Sequence, residues 1–119
     1  MDNEQDSIAM IEWFRASTSY INTHRGKVFV VLLSGEALAD KNLPNVVYDL
    51  TLLHSLGVKL VLVHGARPQI SAALEDDGKD SFYHRDIRIT EAECIKTVTC
   101  VVGGESAKLE ALFSIGISN

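Results

Sequence analysis

The 119 residues carry 11 Lys and Arg against 16 Asp and Glu, a formal charge of −5, with 46% hydrophobic and 23% charged residues. This balance fits one globular domain or part of one, with apolar residues enough for a modest core. The lack of a Lys/Arg cluster argues against a phosphate-backbone binder. The longest apolar run, Val28 to Leu33, falls far short of the roughly 20 residues that span a bilayer, so neither nucleic acid nor membrane is an expected partner.

The opening residues Met1 to Asp6 are acidic and polar, where a secretory leader would be basic and then apolar, so the expected location is the cytoplasm. Ile8, Ile11 and Phe14, followed by Tyr20 and Ile21, recur at helical spacing and predict a first helix from about Gln5 to Ser19 or beyond, ending near Arg25-Gly26. Lys27 to Leu33 is a continuous β-branched and apolar run, the pattern of a strand covered on both faces of a parallel sheet. Ser34-Gly35 breaks it, and Pro44 suits the first turn of a helix that runs through Val46, Val47, Leu50, Leu53 and Leu56 to a stop at Gly57.

Val58 to Val63 is a second strand of the buried kind, and Pro68 opens a helix through Ile70, Ala73 and Leu74 before the polar turn at Glu75 to Asp80. Strand, helix, strand, helix in this order, joined by a right-handed crossover, predicts an α/β fold, a three-layer α/β/α sandwich. Phe82 to Ile89 alternates like a short extended segment or hairpin arm at an edge. Thr90-Glu-Ala-Glu93 has the form of a capping box and predicts a helix to about Val102. Gly103-Gly104 then interrupts it, and a last helix through Ala107, Leu109, Leu112 and Phe113 ends near Gly116. No third buried strand follows, so Asn119 reads as an interruption of the pattern.

Chemistry has few places to sit. His64-Gly65-Ala66-Arg67-Pro68 lies at the carboxyl end of a strand and the amino end of a helix, the usual ligand crevice of an open α/β sheet. Gly65 admits a close approach, the helix start offers free N–H groups, and Arg67 could hold a carboxylate or phosphate. The competing reading has Gly65 as a tight turn, Arg67 in solvent and His64 as a satisfied histidine. Ser34 and Gly35 would leave amides accessible beside this crevice, or simply make a turn. No Walker A or spaced Gly-x-Gly-x-x-Gly pattern is present. His24, His54, His64 and His84 lack metal-ligand spacing, so no metal is expected. Cys94 and Cys100 lie six apart, about 120° around a helix, and are expected to be two buried thiols. Trp13 and Phe14 suit either core or an oligomer face.

At these residues the chain resembles the amino-acid kinase fold and, more narrowly, the N-acetylglutamate synthase family. The resemblance runs from Phe14 to about Leu112. It rests on Tyr20-Ile-Asn-Thr-His-Arg-Gly-Lys27, Phe29 to Ala37, Leu52-Leu-His-Ser-Leu-Gly57, His64-Gly-Ala-Arg-Pro-Gln-Ile70, Tyr83-His84 and Ile87-Arg-Ile-Thr90. It implies that residues 1–26 form an N-terminal helix for oligomerisation and arginine sensing, with Trp13, Phe14, Tyr20, His24 and Arg25 as its contributors. Residues 27–119 are then the N-terminal half of a kinase-like domain, and the acetyltransferase domain that binds acetyl-CoA and glutamate lies outside them. Kinases of the fold carry a lysine in the first strand, where Leu32 stands here, and a glycine pair, where Ser34-Gly35 stands.

The resemblance thus implies no catalytic residue and no cofactor in these residues, acetyl-CoA being a substrate of the other domain. Ser34, Gly35, His64, Gly65, Ala66 and Arg67 are remnants of an acyl-amino-acid pocket. The whole protein is expected to make N-acetylglutamate in the first step of arginine biosynthesis, under arginine feedback, as a hexamer of linked dimers. An N-acetylglutamate kinase and a stand-alone arginine-binding module are the alternatives.

Overall fold

The computed structural model describes residues 2–115. Helix α1 spans Asp2–His24, strand β1 Val28–Leu33, α2 Gly35–Ala39, α3 Leu43–Ser55, β2 Lys59–His64 and α4 Arg67–Asp76; a hairpin of β3 (Phe82–His84) and β4 (Ile87–Ile89) follows, then a 3-10 turn at Ala92–Cys94 and α5 at Ile95–Ile115. The order matches the expected α/β class. β1 and β2 pair in parallel with Val28 opposite Lys59 and Leu33 opposite His64, so both strands end level. The Gly65 N–H extends the ladder by donating to the Leu33 carbonyl at 2.9 Å.

Turn chemistry explains most boundaries. Gly26 and Gly57 take φ of +78° and +97°, conformations that cost L-residues dearly, and the Gly26 N–H donates to the Gly57 carbonyl at 2.7 Å. The exits of α1 and α3 are thereby tied together where both chains turn into the sheet. Pro44 and Pro68 each occupy a first helical turn, where a missing N–H costs nothing.

The core has two parts. Leu33, Leu38, Val47 and Leu109 form one cluster; Ala66, Ile70, Leu74 and Cys94 form the other, with Val98 and Val101 packed against it. Helix α5 belongs to both, its first half lying on α4 and its second on α3 and β1. Glu105, between the two, is buried and holds Lys108 at 2.7 Å.

Several expectations are corrected. The strands are not covered on both faces: exposure alternates along β1 and β2, because α3 and α5 pack on the face of Leu33 and Leu62 while Val28, Val30, Leu32, Val61 and Val63 lie open. The hairpin is not an edge of the main sheet but a separate antiparallel pair. Thr90 does not cap a helix; Glu91 is the cap residue of the 3-10 turn and its side chain makes no capping bond. Gly103-Gly104 does not interrupt α5. The pair costs about 1 kcal/mol per glycine relative to alanine, but packed anchors on either side, Val98 and Val101 before it and Leu109 and Leu112 after it, hold the helix continuous. Cys94 is buried but Cys100 is exposed, and both thiols are free. The expected helix end near Gly116 lies outside the described residues.

Helix α1 begins at Asp2, ahead of the expected Gln5, and runs out from the body, so that the described chain as a whole measures 64 × 32 × 31 Å along its principal axes. Its large apolar side chains before Ile21 are exposed, Trp13 and Phe14 by more than two thirds, and Ile21 is half-buried. No described helix is long and apolar enough to cross a membrane. Leu74, 2% exposed at the centre of the second cluster, sets a test of this packing. Leu74→Ala is expected to lose about 2–5 kcal/mol, read as a lower midpoint at unchanged slope in urea unfolding.

Candidate functional site

The level strand ends bring two turns side by side. Ser34 leaves β1 with φ −68° and ψ 163° and accepts a hydrogen bond from the Ala37 N–H at 3.1 Å, capping α2. A Cβ on Gly35 would lie 2.6 Å from Pro68 Cδ and 2.9 Å from the Arg67 nitrogen, and a Cβ on Gly65 would lie 3.3 Å from the Gly35 nitrogen. Gly35 is therefore demanded by the closeness of the turns, while a side chain at Gly65 would press the Gly35 backbone aside by a few tenths of an ångström. The Gln69 side chain adds a tie, donating from Nε2 to the Gly35 carbonyl at 2.7 Å.

Between the turns is an open crevice of about 360 Å³. Ser34, Gly35, Gly65, Ala66 and Arg67 line it, as the sequence predicts, with Leu32 and Glu36 beside them. His64 does not join them. Its side chain lies on the α5 face of β2, in a separate cavity with Ser106 and Phe113, because neighbouring residues of a strand point to opposite sides.

Arg67 is not simply in solvent. Its Nη2 donates to the Asp86 carbonyl at 2.6 Å, and its guanidinium sits 5.5 Å from the Tyr83 ring. A second arginine, without a role in the sequence reading, shares that ring: Arg88 lies 4.8 Å from it. From Arg88, Nη1 donates to Ser81 Oγ at 2.7 Å, and Nη2 donates to Ser71 Oγ at 2.7 Å and to the Arg67 carbonyl at 3.2 Å. Tyr83 and Arg88 are cross-strand partners, so the alternation of Phe82 to Ile89 already placed them on one face. What the alternation lacks is any sign of the body they dock against. The hairpin turn itself puts Arg85 and Asp86 at φ of 48° and 62°, an uncommon conformation for residues other than glycine.

The chemistry open to the crevice follows from its lining. Arg67 is its one cation and Glu36 its one carboxylate. Leu32, 75% exposed at its side, has no charge with which to stabilise a transferring phosphoryl group. Among the described residues no group of three or more His, Cys, Asp or Glu side chains is placed to hold a metal.

The second predicted group is split. Trp13, Phe14 and Tyr20 line an apolar groove of about 550 Å³ along α1 that Leu56 closes at one end. His24 instead faces the sheet, its ring 4.6 Å from Tyr20 and 5.5 Å from Phe29. The Arg25 side chain lies over Gly57, where an added Cβ would meet its Cγ at 2.9 Å.

Residues 27–116 match the amino acid kinase family, and the chain belongs to that family. It is 49% identical over 113 residues to the amino-acid acetyltransferase of Vibrio cholerae, an alignment covering 95% of this chain and 25% of that protein. It is 43% identical to the amino-acid acetyltransferase of Proteus mirabilis, over 98% of this chain and 26% of that protein. Among solved structures it superposes on N-acetylglutamate synthase from Neisseria gonorrhoeae, complexed with coenzyme A and L-arginine, with a TM-score of 0.78 and 28% identity. That match covers 92% of this chain and 26% of the other. The complex of the same synthase with coenzyme A and N-acetylglutamate gives a TM-score of 0.75. The chain thus spans about a quarter of the length of the relatives it matches.

The polar docking of the hairpin yields a prediction. None of its side chains is buried, so Arg88 is its main anchor. Arg88→Ala is expected to speed amide exchange across residues 82–89 by about tenfold or more, since even one lost hydrogen bond to a charged group is worth about 1.5 kcal/mol, with exchange in β1 and β2 unchanged.

Proposed function

We propose that this chain is the kinase-like part of an N-acetylglutamate synthase, which transfers the acetyl group of acetyl-CoA to the amino group of L-glutamate. The observation that carries the reading is the alignment of 95% of the chain, at 49% identity, to an amino-acid acetyltransferase four times as long. Acetyl transfer then belongs to the part of such a protein that these residues do not match. Their own task is regulation and assembly. Residues 1–26 act as the oligomerisation and arginine-sensing segment and residues 27–119 as the first half of the kinase-like domain.

The crevice supports this division of labour. Its turns remain closely packed, yet Leu32 stands where kinases of the fold carry a lysine, and Ser34 Oγ is occupied in capping α2. We read Ser34, Gly35, Gly65, Ala66 and Arg67 as a pocket that has kept its backbone shape and lost phosphoryl transfer. Arginine is the proposed feedback ligand, and the arginine complex of the gonococcal synthase supports it. The exposed aromatic groove of α1 is the proposed self-association surface, and the cytoplasm the proposed location.

Assay of the protein encoded by the complete reading frame tests the reading. Acetyl-CoA and glutamate are expected to give free CoA, measured with a thiol reagent, and millimolar arginine is expected to suppress it. ADP release from ATP and N-acetylglutamate, with no acetyl transfer, would instead establish a kinase. In the same protein arginine at 100 times its Kd is expected to raise stability by about 2.7 kcal/mol through ligand linkage, read as a higher Tm. No change in Tm would remove arginine as the ligand.

A further inference from the structure

The His64 ring bridges α5 and the crevice without lining the crevice. Its Nδ1 lies 3.2 Å from the Gly65 carbonyl oxygen and its Nε2 3.2 Å from Ser106 Oγ. A carbonyl oxygen only accepts, so Nδ1 must carry the proton; in the neutral ring Nε2 is then bare and must accept the Ser106 hydroxyl proton. The Gly65 carbonyl selects that tautomer, and the Ser106 hydroxyl, able to donate or accept, meets the bare Nε2 as a donor and holds the ring in place.

That bond fixes a peptide. The Gly65 N–H is already spent on Leu33, and the ring draws the Gly65 carbonyl toward the α5 face. In a planar trans peptide the carbonyl and the following N–H point in opposite directions. The Ala66 N–H is thereby turned from α5 toward the face that carries Leu32, where Ala66 lines the crevice. It sits at the cap position of α4 and has no hydrogen-bond partner among the described residues.

We infer that His64 is a positioning residue: held by Ser106 with its proton on Nδ1, it locks the Gly65–Ala66 peptide so that the Ala66 N–H faces the crevice. Helix α5 thus reaches the crevice through one imidazole. The inference deepens the reading of the crevice as a ligand pocket, and its readout is spectroscopic, so it stands or falls separately from acetyl transfer.

The test is nitrogen NMR of the full chain labelled at histidine and at the backbone, at about pH 8, where an ordinary imidazole is neutral. A His64→Asn variant assigns the signal. Wild type is expected to show protonated Nδ1 and bare Nε2. Ser106→Ala keeps Nδ1 as the donor to the carbonyl but is expected to shift the Nε2 signal, which loses its donor, and the Gly65 and Ala66 amide signals as the ring loosens, while Ser106→Thr, which keeps the hydroxyl, restores both. A proton on Nε2 in the wild type would overturn the inference, as would a folded Ser106→Ala protein with both sets of signals unmoved. Should Ser106→Ala fail to fold, the wild-type tautomer decides, together with the Ser106→Thr spectrum.

Discussion

One hydrogen bond beyond the end of the sheet, from the Gly65 N–H to the Leu33 carbonyl at 2.9 Å, sets the geometry on which everything at the crevice depends. It carries the parallel register of β1 and β2 one residue past the strands, so the chain leaves both at the same level. Two strands that end level in a parallel sheet open a gap between their following turns. Here that gap is narrow enough to exclude a Cβ from Gly35. The closeness is a packing requirement before it is a binding device, and the glycine at position 35 is its direct consequence.

Helix α5 plays the corresponding part for the core. Neither hydrophobic cluster is large, and they share no residue. A single continuous helix that contributes Val98 and Val101 to one and Leu109 to the other joins them mechanically. Its ion pair of Glu105 and Lys108 is local to the helix, so the joining is done by apolar packing and by the Ser106 contact to His64. The middle of that helix is its glycine pair, with nothing packed within 4 Å of either position. The propensity cost there is borne without a break in the helix because the anchors lie to either side.

These same places separate what could be read from the amino-acid order from what could not. Strand and helix succession through Asp76 was legible apart from the short α2 at Gly35–Ala39, which reads in the sequence as a break only, since β-branched runs, Pro44, Pro68, Gly26 and Gly57 act locally. The crevice at Ser34-Gly35 and Gly65 to Arg67 was legible for the same reason. The Gly103-Gly104 break was misread because a local cost was weighed without the distant contacts that offset it. The grouping of His64 with its neighbours failed on strand alternation, which sends its ring to the other face. Open strand faces were invisible to a pattern that reports hydrophobicity and not what covers it. The pairing of Arg67 and Arg88 on Tyr83 needs the hairpin to fold back by a tertiary contact, for which adjacent residues hold no signal.

Helix α1 has a mechanical consequence of its own. It is attached to the body at its last turn, where Gly26 bonds to Gly57 and His24 rests on Phe29, and its 23 residues make a rigid rod of about 35 Å. A rod fixed at one end is a lever. A rotation of only about 10° at the attachment carries its far end through about 6 Å at that length, more than one helical turn's rise. Small changes beside β1 and Gly57 are therefore magnified at the remote tip into displacements comparable to the spacing between neighbouring structural elements.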